Sequence, residues 1–301
     1  MIEIENFKKP QLLSNDEYDL NDLDYSSMFI SKKRDGVRSQ ITNEGLFGRS
    51  LKKLRNINIQ NFFKEIWSKL PDSIILEAEI YADNLPCREI AGICNSKDKE
   101  VPENLKLCLF GIFSEHRFIT RIIELKDAVE KIDSDKYIIV EQIKIFSAEE
   151  AQKYYDKFIA EGFEGAVMMD GSKNYKQGRV TINQHIGFKM KPHKETDLEI
   201  VGVTERFLNT NESHKNELGQ SFKRNTVDNK ESTEIAACFI CKYKDTTTKV
   251  TITGDENFRR EIWLNKDKYI GSYAVIKSMD YGEKNKLRHP RLSGIKSSVE
   301  K

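Results

Sequence analysis

Apolar and polar positions alternate in short blocks along the chain, and the blocks switch between a period of two and a period near four. Met28-Phe29-Ile30 is a short apolar run that reads as a strand entering a core. Residues 37–41, the turn Asn43-Glu44-Gly45 and then Leu46-Phe47 follow as strand, turn and strand. Over residues 56–70, Ile59, Phe62, Phe63, Ile66, Trp67 and Leu70 recur at helical spacing, and Pro71 ends the helix. A strand is predicted over residues 73–81, with Leu76, Ala78 and Ile80 on one face and Glu77, Glu79 and Tyr81 on the other. Residues 88–95 fit a short helix. Residues 105–113 are nearly all apolar, as in a central strand. A helix over 119–132 and a strand over 136–146 come next. Ser147-Ala148-Glu149-Glu150 is a capping box that opens a helix to Ala160. Residues 164–169 and 186–192 read as strands, the latter with Lys189 and Lys191 on one face.

Near Thr196 the pattern changes. Residues 198–203 form a strand, and 208–233 are so polar that they read as a long mobile loop or hairpin tip. Strands over 234–243 and 249–253, a helix over 256–264 and a strand over 273–281 complete the chain. Short strands and one helix fit a small closed barrel of the OB type. Strands and helices mixed before it fit a mixed-sheet domain. The expected fold is therefore α+β, with boundaries at 1–194 and 195–301. Residues 1–26, polar and with little periodicity, read as a lead-in that packs on the first domain.

A length of 301 residues leaves room for two domains. With 49 basic and 48 acidic residues the net charge is +1, so any nucleic-acid surface has to be local. No apolar run reaches membrane-spanning length, and the N-terminus lacks a basic-then-apolar signal. An intracellular protein without a membrane partner is expected. The five cysteines suggest reduced thiols. Cys238 and Cys241 form a lone C-x-x-C on a strand, with the two thiols on opposite faces and no second pair to complete a zinc site.

The chemistry-bearing stretch is Ser31-Lys32-Lys33-Arg34-Asp35-Gly36-Val37-Arg38. It places a lysine, an acid, a glycine and an arginine together at a strand end. That is what a nucleophilic lysine with a phosphate beside it needs; the same residues also fit a charged hairpin edge. Further along stand Gly48-Arg49-Ser50, Glu77-Ala78-Glu79, Leu107-Cys108-Leu109-Phe110, Glu164-Gly165-Ala166-Val167 and Lys189-Met190-Lys191. In order and spacing these resemble the motifs of the covalent nucleotidyltransferases, and among them the compact ATP-dependent DNA ligases of phages and other viruses. Gly254 to Ile262, Tyr269-Ile270-Gly271 and Leu287 to Leu292 resemble the OB-domain helix entry and closing strands of those ligases. The resemblance covers most of residues 28–296. It implies a nucleotidyltransferase (adenylation) domain with mixed and antiparallel sheets, followed by an all-β OB-fold domain that binds DNA.

The resemblance also implies roles. Lys33 would attack the α-phosphorus of ATP and carry AMP. A free lysine has a pKa near ~10.4, so neighbouring cations, Arg38, Lys189, Lys191 and a metal, would favour the neutral amine. Magnesium, or manganese, would be held by Glu164, with Asp35 and Glu77 contributing. Glu79 would contact the ribose, and Arg49 the nucleotide or the 5′-phosphate of the nick. Phe110 would stack on adenine, and Ser31 would meet its edge. Arg38, Lys189 and Lys191 would also bind the nucleotide phosphates. Lys284, Lys286, Arg288 and Arg291, with Lys223 and Arg224 in the polar loop, would meet DNA phosphates.

Two positions depart from the family pattern. Its usual D-G-E is here Glu77-Ala78-Glu79, and its usual F-D is Phe110-Gly111. Nick sealing in duplex DNA by a monomer is the leading expectation. An RNA ligase, a capping guanylyltransferase and a non-catalytic OB-type nucleic-acid binder are the alternatives. The chain is too short, and lacks the zinc cysteines, for an NAD-dependent ligase.

Overall fold

Residues with a period of two line up into two sheets in the N-terminal part of the chain. The computed structural model describes residues 9–14, 16–192, 194–215, 221–224, 229–279 and 287–297. The chain divides into two compact units, Met1–Met190 and Lys191–Lys301. In chain order the first holds strands β1 (Met28–Lys33), β2 (Val37–Thr42) and β3 (Gly45–Gly48), then helices α1 (Ile57–Phe62) and α2 (Lys64–Trp67). After these come β4 (Leu76–Tyr81), α3 (Cys87–Asn95), β5 (Lys106–Ile112) and α4 (Phe118–Val129). The unit closes with β6 (Tyr137–Ile139), β7 (Ile143–Lys144), α5 (Ala148–Ala160), β8 (Gly165–Asp170) and β9 (Gly187–Met190).

A five-stranded sheet runs β3-β2-β4-β5-β6, and a four-stranded sheet runs β7-β1-β8-β9. All pairings are antiparallel except β5 with β6, so the sheets are mixed and antiparallel as expected. On the five-stranded sheet Ile41, Ala78, Ile80, Leu107 and Leu109 bury one face against Ile59, Phe63, Ile66, Ile90 and Ile93. That burial supplies the main stabilisation, because each aliphatic side chain removed from water is worth about 1.5–3 kcal/mol. The reverse face is left to Arg38, Glu77, Glu79 and Phe110. On the four-stranded sheet Met28, Ile30, Ala166, Met168 and Phe188 pack on Ala151 and Phe158 of α5. Ser31, Lys33 and Lys189 therefore stand on the opposite face.

The described part of the lead-in packs on this unit. The Leu12 N–H donates to the Gly178 carbonyl (2.8 Å), and Tyr18, Leu20, Leu23 and Tyr25 cover the core behind β1.

Two predicted elements differ. The helix over 56–70 is two short helices that meet at Phe63, with Asn56 capping the first through hydrogen bonds from Asn58 and Ile59. The strand over 136–146 is two strands in different sheets: β6 lies beside β5, and β7 beside β1. The chain crosses from one sheet edge to the other between them, and a hydrophobic pattern records burial without naming the partner strand.

The second unit contains β10 (Lys194–Asn209), β11 (Ser213–Lys215), β12 (Ser221–Lys223), β13 (Lys230–Tyr243) and β14 (Thr246–Thr251). Helices α6 (Glu256–Leu264) and α7 (Lys266–Tyr269) precede β15 (Tyr273–Met279) and β16 (Arg288–Lys296). Five strands close a barrel in the order β10-β13-β14-β16-β15. Its core is Ile200, Phe239, Val250, Ala274 and Ile276, with Ile262 of α6 buried among them. This is an OB fold. The polar stretch after residue 208 is not simply a loop: β10 and β13 extend as a hairpin, and β11 pairs with β12. Cys241 is buried, Cys238 is half-buried, and both are free thiols.

Candidate active site

The chain crosses from the four-stranded to the five-stranded sheet through Arg34-Asp35-Gly36, between β1 and β2. Lys33 ends β1 and is paired with Gly165 across to β8. Gly165 has φ +152°, a backbone state that favours glycine. The Glu164 N–H donates to the Lys33 carbonyl (3.0 Å), and the Lys33 ammonium meets the Glu164 carboxylate in an ion pair. Their side chains are only 21% and 9% exposed, so the pair is largely shielded from solvent. Ser31, Val167 and Lys189 form a cross-strand row on the same face as Lys33. The Ser31 hydroxyl lies 3.4 Å from the Val167 carbonyl.

Gly36 is required by space. A Cβ there would stand 2.3 Å from the Ile80 carbonyl oxygen and 2.8 Å from Cγ of Glu79. The glycine of K-x-D-G thus lets the turn lie against β4. Arg34 beside it stacks on Tyr81 at the end of β4 (5.8 Å) and on Phe163 in the turn before β8 (5.3 Å). Asp35 is half-buried in the same turn.

Arg38 and Glu79 are cross-strand partners on β2 and β4. Burial raises the Glu79 carboxyl to about 7; Glu164 adds to the rise, and Lys33, Arg38 and a hydrogen bond from Gly36 oppose it. Lys33, Arg38, Glu79 and Glu164 therefore act on one small volume where the sheets meet. The Arg38 guanidinium lies over the Phe110 ring, 4.9 Å from its centre, and donates to Glu77 at 2.5 Å. Phe110 sits at a β-bulge: Glu77 pairs with Gly111, and Ala78 with Leu109. A bulge re-aims a side chain locally. Here it leaves Phe110 without a partner on β4 and brings Gly111 opposite Glu77, while strand alternation already sets Phe110 on the face away from Leu109, its ring partly exposed.

The two departures from the family pattern face each other. Gly111 is the cross-strand partner of Glu77, and a Cβ on it would stand 3.2 Å from Glu77 Oε2. The longer carboxylate occupies the space in front of the residue that has lost its side chain.

Other predicted residues fall elsewhere. Arg49 is exposed after β3. Lys191 is the first residue of the second unit. Lys223 and Arg224 are exposed at and after β12, and the Lys223 ammonium donates to the Asn209 carbonyl (3.1 Å). Arg291 is exposed on β16, which Arg288 opens. Lys284 and Lys286 lie outside the described residues. Sequence reasoning missed Tyr175 and Arg121, which lie beside Glu77; Tyr175 belongs to an aperiodic polar loop and Arg121 to a helix, so neither carried a signal.

Among the described residues, no three His, Cys, Asp or Glu side chains gather closely enough to hold a metal ion. Magnesium needs only one or two carboxylates when phosphate oxygens and water complete its shell. Glu164, beside Lys33, fits that limited role.

A profile of the family described as "ATP dependent DNA ligase domain" matches residues 11–191. This chain belongs to that family. It is 24% identical over 192 residues to a DNA ligase of African swine fever virus, a match covering 58% of this chain and 44% of the viral protein. A second isolate's DNA ligase matches at 24% over 198 residues, covering 60% and 46%. The chain thus spans less than half the length of those relatives. Among solved structures, one from work on DNA binding by the minimal Lig E DNA ligases superposes with a TM-score of 0.72 at 15% identity, covering 96% of this chain and all of that one. Chlorella virus DNA ligase-adenylate superposes with a TM-score of 0.55 at 21% identity, covering 96% and 98%. At these identities the structural likeness concerns the ligase fold.

Proposed function

We propose that this ligase-family chain seals nicks in duplex DNA with ATP, through AMP carried on Lys33. The observation that carries the reading is the meeting of Lys33 and Glu164 with Glu79 and Arg38 where the two sheets adjoin. The first unit is read as the adenylation domain, and the OB barrel as the part that holds DNA. All the groups invoked come from one chain, which supports action as a monomer. No helix among the described residues is long and apolar enough to cross a membrane.

In the first step the neutral Lys33 amine attacks the α-phosphorus of ATP. A P–N bond forms, the P–O bond to pyrophosphate breaks, and the amine gives up one proton to solvent or to the departing pyrophosphate. Lys33 must first part from Glu164. Glu164 would hold magnesium or manganese together with phosphate oxygens; the ion would neutralise phosphate charge. Arg38 and Lys189 offer donors to the phosphates, and Phe110 offers a flat apolar ring for the purine. Glu79 stands where a ribose hydroxyl would be received. In the second step a 5′-phosphate oxygen of the nick attacks the same phosphorus, and the P–N bond breaks. In the third, the 3′-hydroxyl attacks the 5′-phosphorus and expels AMP. Positioning supplies most of the rate in such transfers. Exposed Arg49, Lys223, Arg224 and Arg291 are suited to backbone phosphates rather than to bases.

Intact mass before and after incubation with ATP and magnesium tests the first step. Wild type gains one AMP, and Lys33→Ala gains none. Labelled AMP then passes to nicked DNA. Label taken only from GTP, or passed only to nicked RNA, would replace this reading with a capping or RNA-joining one. No adduct at all would leave a nucleic-acid binder.

A further inference from the structure

Tyr175 lies in the loop between β8 and β9 and belongs to none of the motifs. Its hydroxyl has two neighbours at hydrogen-bond distance: the Gln11 backbone N–H (2.7 Å) and Glu77 Oε1 (2.8 Å). The Gln11 amide can only donate, so the single phenolic hydrogen goes to Glu77. The same Oε1 accepts from Arg38 Nη2 at 2.5 Å. Glu77 is 3% exposed, and the other side of its carboxylate abuts Gly111. Tyr175 is itself fixed. Its ring meets Phe113 edge-on at 5.1 Å, and the buried Arg121 guanidinium stacks on it at 5.1 Å. Burial, with the Glu77 charge beside it, pushes the Tyr175 phenol far above its usual value, so it remains a donor at any working pH.

We propose that Tyr175 is a positioning residue for nucleotide binding: through Glu77 it fixes the Arg38 guanidinium over Phe110, so that Glu77 serves Arg38 and not a metal ion. The Tyr175 hydroxyl and the Arg38 guanidinium converge on one carboxylate oxygen of Glu77. Burial pulls the Arg38 guanidinium's affinity for its proton down, but the Glu77 charge and hydrogen bond, with Tyr175 and Glu79, together outweigh it, and Arg38 stays cationic. Its buried Nε–H has no hydrogen-bond partner among the described residues. An arginine held along one edge, with a donor left over, is preorganised for an anionic ligand. Freed from Glu77 it would have to be ordered by the nucleotide itself, at a cost in affinity.

The inference rests on the ligase reading for the identity of the ligand, ATP. Calorimetric titration with ATP, in a chelator so that no AMP is transferred, measures binding apart from chemistry. Tyr175→Phe removes one hydrogen bond to a charged group, and its Kd for ATP rises about ten-fold. Gly111→Ala, which leaves Tyr175 in place and pushes on Glu77 from the other side, raises Kd a few-fold, roughly two to five. With magnesium and saturating ATP, the rate of AMP transfer in both variants stays within about three-fold of wild type, because the attacking amine is untouched. In an Arg38→Gln background the Tyr175→Phe change alters Kd by less than about two-fold, since the residue it acts through is gone. A wild-type Kd in folded Tyr175→Phe, or losses that multiply in the double variant, would overturn the role. Should Tyr175→Phe fail to fold, a wild-type Kd in Gly111→Ala overturns it equally. Wild type that binds ATP but takes no AMP would sink the nick-sealing reading, and the Kd comparisons would still decide this one.

Discussion

Glu79 sits on β4 in the field of Lys33, Arg38 and Glu164, with its carboxyl raised from 4.5 to about 7, chiefly by burial. Between those values the native state holds a proton that the unfolded chain has released. Stability from this group is therefore complete below pH 4.5, falls as pH rises through about 7, and is absent above. Glu79→Gln cannot ionise and loses that slope. The unfolding free energy of wild type minus that of Glu79→Gln is expected to fall by on the order of 2–3 kcal/mol from pH 4.5 to 8. Denaturant titrations across that range check it; a flat difference refutes the buried carboxyl. Glu79, Lys33 and Glu164 were all legible as motif residues, but their shared field was not. Glu77 and Gly111 were visible only as two separate oddities, because a pairing between strands thirty-odd residues apart is invisible in a linear pattern.

Helix α5 shows what local sequence does specify. The Glu150 N–H donates to the Ser147 hydroxyl (3.2 Å), as the capping box predicts, and the Glu150 carboxylate accepts from the Phe146 N–H (2.8 Å), one residue further back. Ser147→Ala is expected to cost about 1 kcal/mol. In a thermal melt the first unit's midpoint should drop by about 2–4 °C, and an unchanged midpoint would mean that the cap contributes nothing. The helix matters because Ala151 and Phe158 support the back of β1, on the face opposite Lys33. Elements whose ends carry their own signals were placed well. The bulge at Phe110 and the change of sheet between β6 and β7 were not, since both depend on which strand lies alongside.

At the scale of the molecule, the second unit has its own core and a closed set of strands with no open barrel edge. A fragment of residues 191–301 is accordingly expected to unfold in one cooperative transition in urea, with dispersed amide signals in the native state. A gradual loss of signal without a midpoint would show that the barrel borrows stability from the first unit. Along β15, Ala274, Ile276 and Ser278 are buried while Val275 and Lys277 between them are only half-buried, a one-sidedness that the run Ala274-Val275-Ile276 did not show in sequence. The closure of β16 onto both β14 and β15 did not follow from it.

By itself the sequence determined most of the elements in their order and the motif residues on β1, β2, β4 and β9, because period, caps and motif spacing are local properties. Tertiary structure decided which of those residues share a volume. It brought Tyr175 onto Glu77, Glu77 onto Arg38 and Gly111, and Glu79 between Lys33 and Arg38. Such contacts join segments far apart in the chain, and they exist only after sheet pairing has settled the register.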